Sequence, residues 1–432
     1  MNFTTNEELY SHFKQHPYIS TDSRIAQPGS LFFALRGENF DGNLYAGSAI
    51  ERGAAYAIID DPQYYTGTRT LLVSNVLESL QALASFYRAS LGIPIIAITG
   101  SNGKTTSKEL IAAALSVKFN THATPGNLNN HIGVPLTILS ITAETEIAII
   151  EMGANHIGEI ETLCKIARPT HGLITNIGKA HLEGFGSAEG VIIAKNELYQ
   201  HLSGNGGTVF VNAENPLLMN LSKNINRILF GKQKDVDYSG DPIMKGATLA
   251  VDLKKPQSLM VATNLTGGYN FENVMAAIAI AGHFRADMEK VATAISAYQP
   301  KMNRSQILET DNNTLILDAY NANPSSMESA IRNFEELDKY PKVLIIGDMF
   351  ELGNASEMEH THILEIATAA GFDKILTAGP HFMKAANGFD GIKSFDDATS
   401  LKEYIKMNPL TKNLILIKGS RGMKLEILTD AL

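Results

Sequence analysis

The chain has 432 residues, 44% hydrophobic and 19% charged, ordinary usage for a globular protein. Its 36 basic against 45 acidic residues leave a net charge of −9, which argues against a general nucleic-acid binder. The single cysteine, Cys164, excludes an internal disulfide and a multi-cysteine zinc site, and suits a reducing compartment. At about 150 residues per domain, the length predicts about three domains. No stretch approaches the ~18 consecutive apolar residues of a membrane span. The polar opening Met1–Gln15 lacks a signal-peptide core, so a cytoplasmic enzyme is expected.

Residues 1–91 are expected to form a small α/β unit, with strands at Ser30–Leu35 and Ala55–Ile59 and a helix over Tyr45–Arg52. On its own, Asp22-Ser23-Arg24 reads as an ordinary turn. Gly92-Ile93-Pro94 marks the seam to the next unit, because proline fits badly in a sheet interior.

Residues 92–300 form the second expected unit. Ile93–Thr99, Glu146–Glu151 and His171–Thr175 read as buried strands, since unbroken rather than alternating apolarity suits a parallel sheet covered on both faces. Gly100-Ser101-Asn102-Gly103-Lys104-Thr105-Thr106 joins the first strand to the helical run Lys108–Val117. A strand, a glycine-bearing turn and a helix N-terminus make an anion site of outward-pointing N–H groups. Lys104 would reach the β- and γ-phosphates of a nucleotide, and the Thr105 hydroxyl would sit on Mg²⁺.

The glycine spacing is G-x-x-G-K-T rather than G-x-x-x-x-G-K-[ST], so a plain βα turn is the competing reading. The order strand, loop, Lys-Thr, helix favours the nucleotide. The lack of an N-K-x-D segment disfavours a guanine-specific GTPase. Glu151, ending a strand of the same sheet, is placed to hold the nucleotide's metal as a hard oxygen ligand; the bland alternative is a helix cap. His181 and Lys195 would, by themselves, be surface or packing residues. Asp235–Thr266 reads as an irregular small β insertion.

After Pro300, residues 301–432 repeat the α/β pattern. Leu315–Asp318, Val343–Gly347, Ile375–Ala378 and Leu414–Lys418 are candidate strands, separated by helices such as Ser326–Leu337. The residues alone therefore point to ATP, Mg²⁺ and an unknown acceptor.

The loop Gly100–Thr106, together with Thr124-Pro-Gly-Asn127-Leu-Asn129-Asn130-His-Ile-Gly133-Val-Pro135, resembles the Mur ligase family, the ATP-dependent amide-forming enzymes of peptidoglycan precursor synthesis. Glu151-Met-Gly-Ala, the His181 segment and Ala194-Lys195 follow in the family's order. Asp318-Ala-Tyr320-Asn321-Ala-Asn323-Pro324, Gly347-Asp348-Met-Phe-Glu351-Leu-Gly353 and Lys418-Gly-Ser420-Arg421-Gly-Met resemble the member that adds D-alanyl-D-alanine to UDP-N-acetylmuramoyl-tripeptide.

The resemblance covers the whole chain and implies an α/β protein of three domains. Residues 1–91 would bind the UDP-sugar end of the substrate, 92–300 would be a P-loop-type ATP-binding domain, and 301–432 a Rossmann-like domain for the dipeptide and for closure. Lys104, His181 and Lys195 become the implied catalytic residues. Two Mg²⁺ ions are implied, one on Thr105 and Glu151, the other on His181 and a carbamylated Lys195. Gly100, Ser101, Asn102, Gly103, Lys104, Thr105 and Thr106 would cradle ATP, with Asn270 and Asn273 at the adenine and Arg304 and Asp318 at phosphates and ribose. Tyr269 stands where the family usually has histidine.

Asp22, Ser23 and Arg24 would then serve the uridine end. Asn127, Asn129 and Asn130 would bind substrate, and Tyr320, Asn321, Asn323, Ser420 and Arg421 would form the dipeptide and closure face. The implied partners are UDP-MurNAc-tripeptide and D-Ala-D-Ala, with no nucleic acid, no membrane insertion and a monomeric chain. Closure about a hinge near Pro300, from an open free chain, is expected. The alternatives are a lysine- or diaminopimelate-adding ligase, a folylpolyglutamate synthase, or a nucleotide-binding protein without catalysis. No D-N-P-R loop supports the amino-acid-adding step, and Lys104, Glu151, His181 and Lys195 are all present.

Overall fold

The computed structural model describes residues 3–301, 303–338 and 341–432, so Met1 and Asn2 of the polar opening lie outside the described residues. Among the described residues, the strands form sheets of four, nine and six, plus a two-stranded ribbon. The central strand Ile95–Thr99 shows why the second unit takes its shape. Ile95 and Ala97 enter one apolar core while Ile96 and Ile98 enter another on the opposite face. Alternation in direction with no alternation in polarity requires cover on both sides. Helix Lys104–Leu115 covers one face with Leu110, Ile111, Ala114 and Leu115, and helix Ala188–Gly204 covers the other with Ala194, Leu198 and Leu202.

The nine-stranded sheet runs, in spatial order, Leu259–Thr266, Thr248–Lys255, Tyr238–Lys245, Asn226–Gly231, Thr208–Asn212, His171–Ile174, Ile95–Thr99, Ile147–Glu151 and Thr121–Ala123. It is parallel from Tyr238–Lys245 onward, with two antiparallel strands at its edge. The β character expected of Asp235–Thr266 is present, but the segment is neither irregular nor a separate insertion. The segment continues the central sheet, because Leu249, Val251, Leu253, Val261 and Leu265 enter the core beneath helix Phe271–His283. Its first two strands meet at a tight turn through Gly246, whose φ of +61° suits a two-residue hairpin loop.

The N-terminal sheet is parallel throughout, in the order Ile19–Ser20, Leu31–Phe33, Tyr56–Ile59 and Thr70–Leu72. Leu31, Phe33 and Ile58 on one of its faces belong to the same apolar core as Ile95, Ala97 and Ile150 of the central sheet. Helix Val76–Ser90 contributes Leu80, Leu83 and Ala84 to that shared core. The C-terminal sheet is ordered Gln306–Glu309, Thr314–Asp318, Leu414–Lys418, Lys342–Gly347, Lys374–Ala378 and Ile392–Phe395, parallel but for the first strand. Leu344, Ile346 and Leu416 fill one of its cores and Val343, Ile345 and Ile417 the other, the two-sided cover of a doubly wound sheet.

The sequence reading expects an open free chain. The structure instead has the C-terminal unit against the central one, with Asn323 donating to the Asn102 side chain at 2.7 Å and the Lys179 backbone N–H to Ser325 Oγ at 3.0 Å. The Gly268 N–H also donates to the Asn333 side chain at 3.1 Å.

Candidate active site

A cavity of about 1200 Å³ opens where the carboxyl ends of the central strands face the C-terminal sheet. Open parallel sheets place their ligand sites at this end of the strands. Gly100 and Gly103 shape the phosphate loop on its wall, with φ of +143° and +78°. A Cβ on Gly100 would strike the Thr175 hydroxyl, and one on Gly103 would come within 2.6 Å of the Asn273 side-chain oxygen. The loop is bound to the segment after strand His171–Ile174: Asn102 N–H donates to Asn176 Oδ1 at 3.0 Å, and Thr175 Oγ1 donates to Asn102 O at 2.6 Å. Ser101 Oγ and the backbone of Gly178 exchange hydrogen bonds of 3.0 Å.

Lys104 donates from Nζ to the carbonyls of Gly100 at 2.6 Å and Ser101 at 3.3 Å. Burial pushes its pKa down and Arg304 adds to this, while the Glu151 charge opposes the shift. Next along the helix, Thr105 Oγ1 donates to both Glu151 oxygens, at 3.1 and 3.0 Å. Glu151 is 1% exposed at the end of its strand and also accepts from Asn129 Nδ2 at 2.8 Å. A hydroxyl and a buried carboxylate side by side are hard oxygen donors of the kind Mg²⁺ takes while keeping other positions for phosphate and water.

Sequence reasoning missed Lys108. Its fully buried amine lies 3.8 Å from Glu151 and donates to the carbonyls of Thr124 at 2.7 Å and Gly126 at 3.0 Å. The lysine therefore pins the Thr124-Pro-Gly turn beneath the carboxylate. Its spacing of four from Lys104 was the available signal, because it puts both on one side of a helix whose start faces the cavity.

Asn270 and Asn273 are buried and joined in a chain. Ser107 Oγ donates to Asn273 Oδ1 at 2.9 Å, Asn273 Nδ2 to Asn270 Oδ1 at 2.8 Å, and Asn270 Nδ2 to Thr266 O at 2.7 Å. Across the cavity, Asp318 ends its strand and accepts from Lys418 Nζ at 2.6 Å and from Ser305 N–H at 3.2 Å. Lys418 lies in a segment singled out from sequence, yet its partner was not foreseen. The Arg304 guanidinium sits 3.6 Å from the centre of the Tyr320 ring, a cation–π contact.

The expected residues Ser101, Asn102, Gly103, Lys104, Thr105, Thr106, Asn127, Asn129, Asn130, Glu151, His181, Asn270, Asn273, Arg304, Asp318, Tyr320, Asn321 and Asn323 all border this cavity. Gly100, Lys195, Ser420 and Arg421 do not. Lys195 is 1% exposed, with its amine 3.4 Å from the Ala154 carbonyl and 5.0 Å from the centre of the Phe185 ring. Burial, with Lys104 nearby, pushes its pKa down to about 7. Ser420 is buried and accepts from Phe350 N–H at 3.0 Å, and Arg421 pairs with Glu426 at 3.4 Å.

His181, with φ of +51°, turns Nδ1 to the carboxylate of Glu351 from the C-terminal unit. The His181 ring, foremost, holds the Glu351 carboxyl below its ordinary range. Among the described residues, no three His, Cys, Asp or Glu side chains gather as a metal cage.

Asp22, Ser23 and Arg24 lie away from the main cavity. Asp22 caps a short 3₁₀ turn and pairs with the exposed Arg24 at 2.7 Å, which holds its pKa at about 2. It also borders a second cavity of about 230 Å³, lined by Tyr18, Ser20, Gln27 and Ser30 among others. Among the described residues, no helix is long and apolar enough to cross a membrane.

Three family models match the chain: the Mur ligase family catalytic domain over residues 17–97, the Mur ligase middle domain over 98–281, and the Mur ligase glutamate ligase domain over 303–421. The chain is 36% identical to the UDP-N-acetylmuramoyl-tripeptide–D-alanyl-D-alanine ligase of Bacillus subtilis (strain 168), with 94% of this chain and 91% of that one covered. A crystal structure of MurF from Acinetobacter baumannii superposes with a TM-score of 0.89 at 29% identity, over 100% of this chain and 98% of that one. The MurF ligase from Thermotoga maritima in complex with ADP gives 0.85 at 25% identity, over 96% of this chain and 97% of that one.

Proposed function

The chain belongs to the Mur ligase family, and we propose that it uses ATP to join D-alanyl-D-alanine to UDP-N-acetylmuramoyl-tripeptide. The products are UDP-MurNAc-pentapeptide, ADP and phosphate, in peptidoglycan precursor synthesis. The observation that carries the reading is one cavity walled by Lys104, Thr105 and Glu151 on one side and by Arg304, Asp318 and Tyr320 on the other. A phosphate loop and an acceptor-bearing unit must face each other in that way for a ligase.

A carboxylate does not react with an amine, so its oxygen first attacks the γ-phosphorus of ATP and ADP leaves. The amine of the dipeptide then attacks the acyl phosphate carbon, and the tetrahedral intermediate expels phosphate. Carboxylate, γ-phosphate and acyl phosphate crowd negative charge, and Lys104 offsets it where it develops. Thr105 and Glu151 would hold a Mg²⁺, and His181 with a carbamylated Lys195 a second; bound there, the ions neutralise phosphate charge. An ammonium beside a cation would repel it, and the burial that brings the Lys195 amine near neutrality at about 7 suits its conversion to a carbamate.

Residues 92–300 are assigned to ATP, 1–91 to the UDP end and 301–432 to the dipeptide. Asn270, Asn273, Arg304 and Asp318 complete the nucleotide site. Asp22, Ser23 and Arg24 serve the uridine end, while Asn127, Asn129, Asn130, Tyr320, Asn321 and Asn323 face the peptide. Ser420 and Arg421 support that face from outside the cavity. A reaction drawing on ATP, in a chain with one buried thiol, is assigned to the cytoplasm.

The test is phosphate release with ATP, Mg²⁺ and UDP-MurNAc-tripeptide, with and without D-Ala-D-Ala. Release that depends on the dipeptide, with an amide product of matching mass, is expected for the lysine or the diaminopimelate tripeptide. Release with a single amino acid but not the dipeptide would overturn the substrate assignment. Silence with every acceptor would overturn the ligase.

A further inference from the structure

We propose that Glu351 is a positioning residue for His181: its carboxylate, carried on the C-terminal unit, fixes the imidazole at the cavity, so His181 is set for reaction only when the two units meet. The inference rests on the reading of His181 given above. His181 Nδ1 contacts the Glu351 carboxylate directly, and an imidazole held at Nδ1 acts through Nε2. Both partners have left-handed backbones, φ +51° and +62°, which side-chain-bearing residues keep only where their surroundings fix them.

The surroundings do so on both sides. Behind Glu351, Met349 N–H donates to His360 Nε2 and Phe350 N–H to Ser420 Oγ, each at 3.0 Å. Asp348, fully buried, accepts from the N–H groups of His381 at 3.0 Å and Phe382 at 2.9 Å. The loop that presents Glu351 is therefore fastened at successive residues before any contact with the other unit. On the facing side, Lys179 Nζ donates to Glu359 at 2.6 Å and Glu183 N–H to the Glu351 carbonyl at 3.3 Å. Leu182, next to His181, packs against the C-terminal core. The histidine sits in the middle of a gripped segment, and Glu351 is the group that reaches its ring.

The test compares Glu351→Ala, Glu351→Gln, His181→Ala and the double Ala variant, all in the full chain, by steady-state phosphate release. Glu351→Ala is expected to lower kcat about ten- to hundredfold, the usual cost of losing a group that orients a functional histidine, with KM for ATP little changed. Glu351→Gln keeps an acceptor oxygen and should recover most of kcat. The double variant should be no slower than His181→Ala alone, as for groups acting through one another. Additive losses, equal loss in Ala and Gln, or an unchanged kcat would overturn the proposal. So would an equal loss in Glu357→Gln, an exposed neighbour paired with Lys384.

A readout independent of turnover is the ¹⁵N resonance of His181 Nδ1. It should move in Glu351→Ala, and a resonance that stays in place would show that no such contact exists. A wild-type chain silent with every acceptor would defeat the ligase assignment while leaving this resonance to decide the contact.

Discussion

The strand His171–Ile174 has a histidine at its start and leads to another, His181, beyond its end, and the two live under opposite rules. The His171 ring lies 4.9 Å from Phe284, 5.2 Å from His283 and 6.1 Å from Phe210, centre to centre. Burial, with His283 adding to it, pushes its pKa down to about 4, so it packs as a neutral ring. His181 meets a carboxylate from a loop of the C-terminal unit, on a cavity that also holds Lys104 and Glu151. One end of the sheet stores apolar contact and the other gathers opposed charges. The residue type does not decide this; the direction of the parallel strands does, because their carboxyl ends and helix N-termini point the same way.

The contrast is broken most severely at Lys104. Lys104→Met removes the charge that offsets developing phosphate charge, and the expected loss of kcat is about 10²–10³-fold. The fold should survive, because the amine's buried partners are carbonyls of its own loop. Kinetics beside a urea titration would show this, and turnover close to wild type would move the chemistry away from this end of the sheet.

At the opposite end the expected effect falls on stability. His171 titrates at about 4 when folded and near 6.5 when unfolded, so between those values the unfolded chain binds more protons. Stability should therefore fall as pH drops from 6.5 towards 4, by about 2–3 kcal/mol for this one group. His171→Phe keeps a ring among rings and should remove that part of the acid sensitivity while sparing turnover at neutral pH. Urea midpoints at pH 7 and pH 5 for both chains give the answer, and parallel losses in the two would refute it.

What was legible in the sequence follows the same division. The phosphate loop could be read because its strand, glycines, Lys104-Thr105 and helix are consecutive, and Glu151 because it ends an unbroken apolar strand. The edge strands within Asp235–Thr266 were not legible as part of the central sheet, since their half-buried pattern does not say which sheet they extend. Glu351 stands in a recognisable motif but does not read as a partner of His181, because the two lie on loops of different units and only closure joins them. Lys195 reads from its helix alone as a surface lysine, because the packing that buries it and lowers its pKa brings in Ala154 and Phe185 from other segments.

The smallest expected effect separates folding from closure at a single residue. Asn323 Oδ1 caps helix Pro324–Glu335 by accepting from Ser326 N–H at 2.9 Å, while its Nδ2 donates to Asn102 in the phosphate loop at 2.7 Å. Asn323→Ala loses both and should cost about 1 kcal/mol of stability through the cap. Asn323→Asp keeps the cap, because aspartate serves there as well as asparagine, but it has no amide to donate. Its urea midpoint should match wild type, while KM for ATP rises about three- to tenfold, the worth of one hydrogen bond. If Asp and Ala lower stability equally, the residue's main bond is the one to Asn102. If Asp leaves KM untouched, the contact between the two units adds nothing to nucleotide binding.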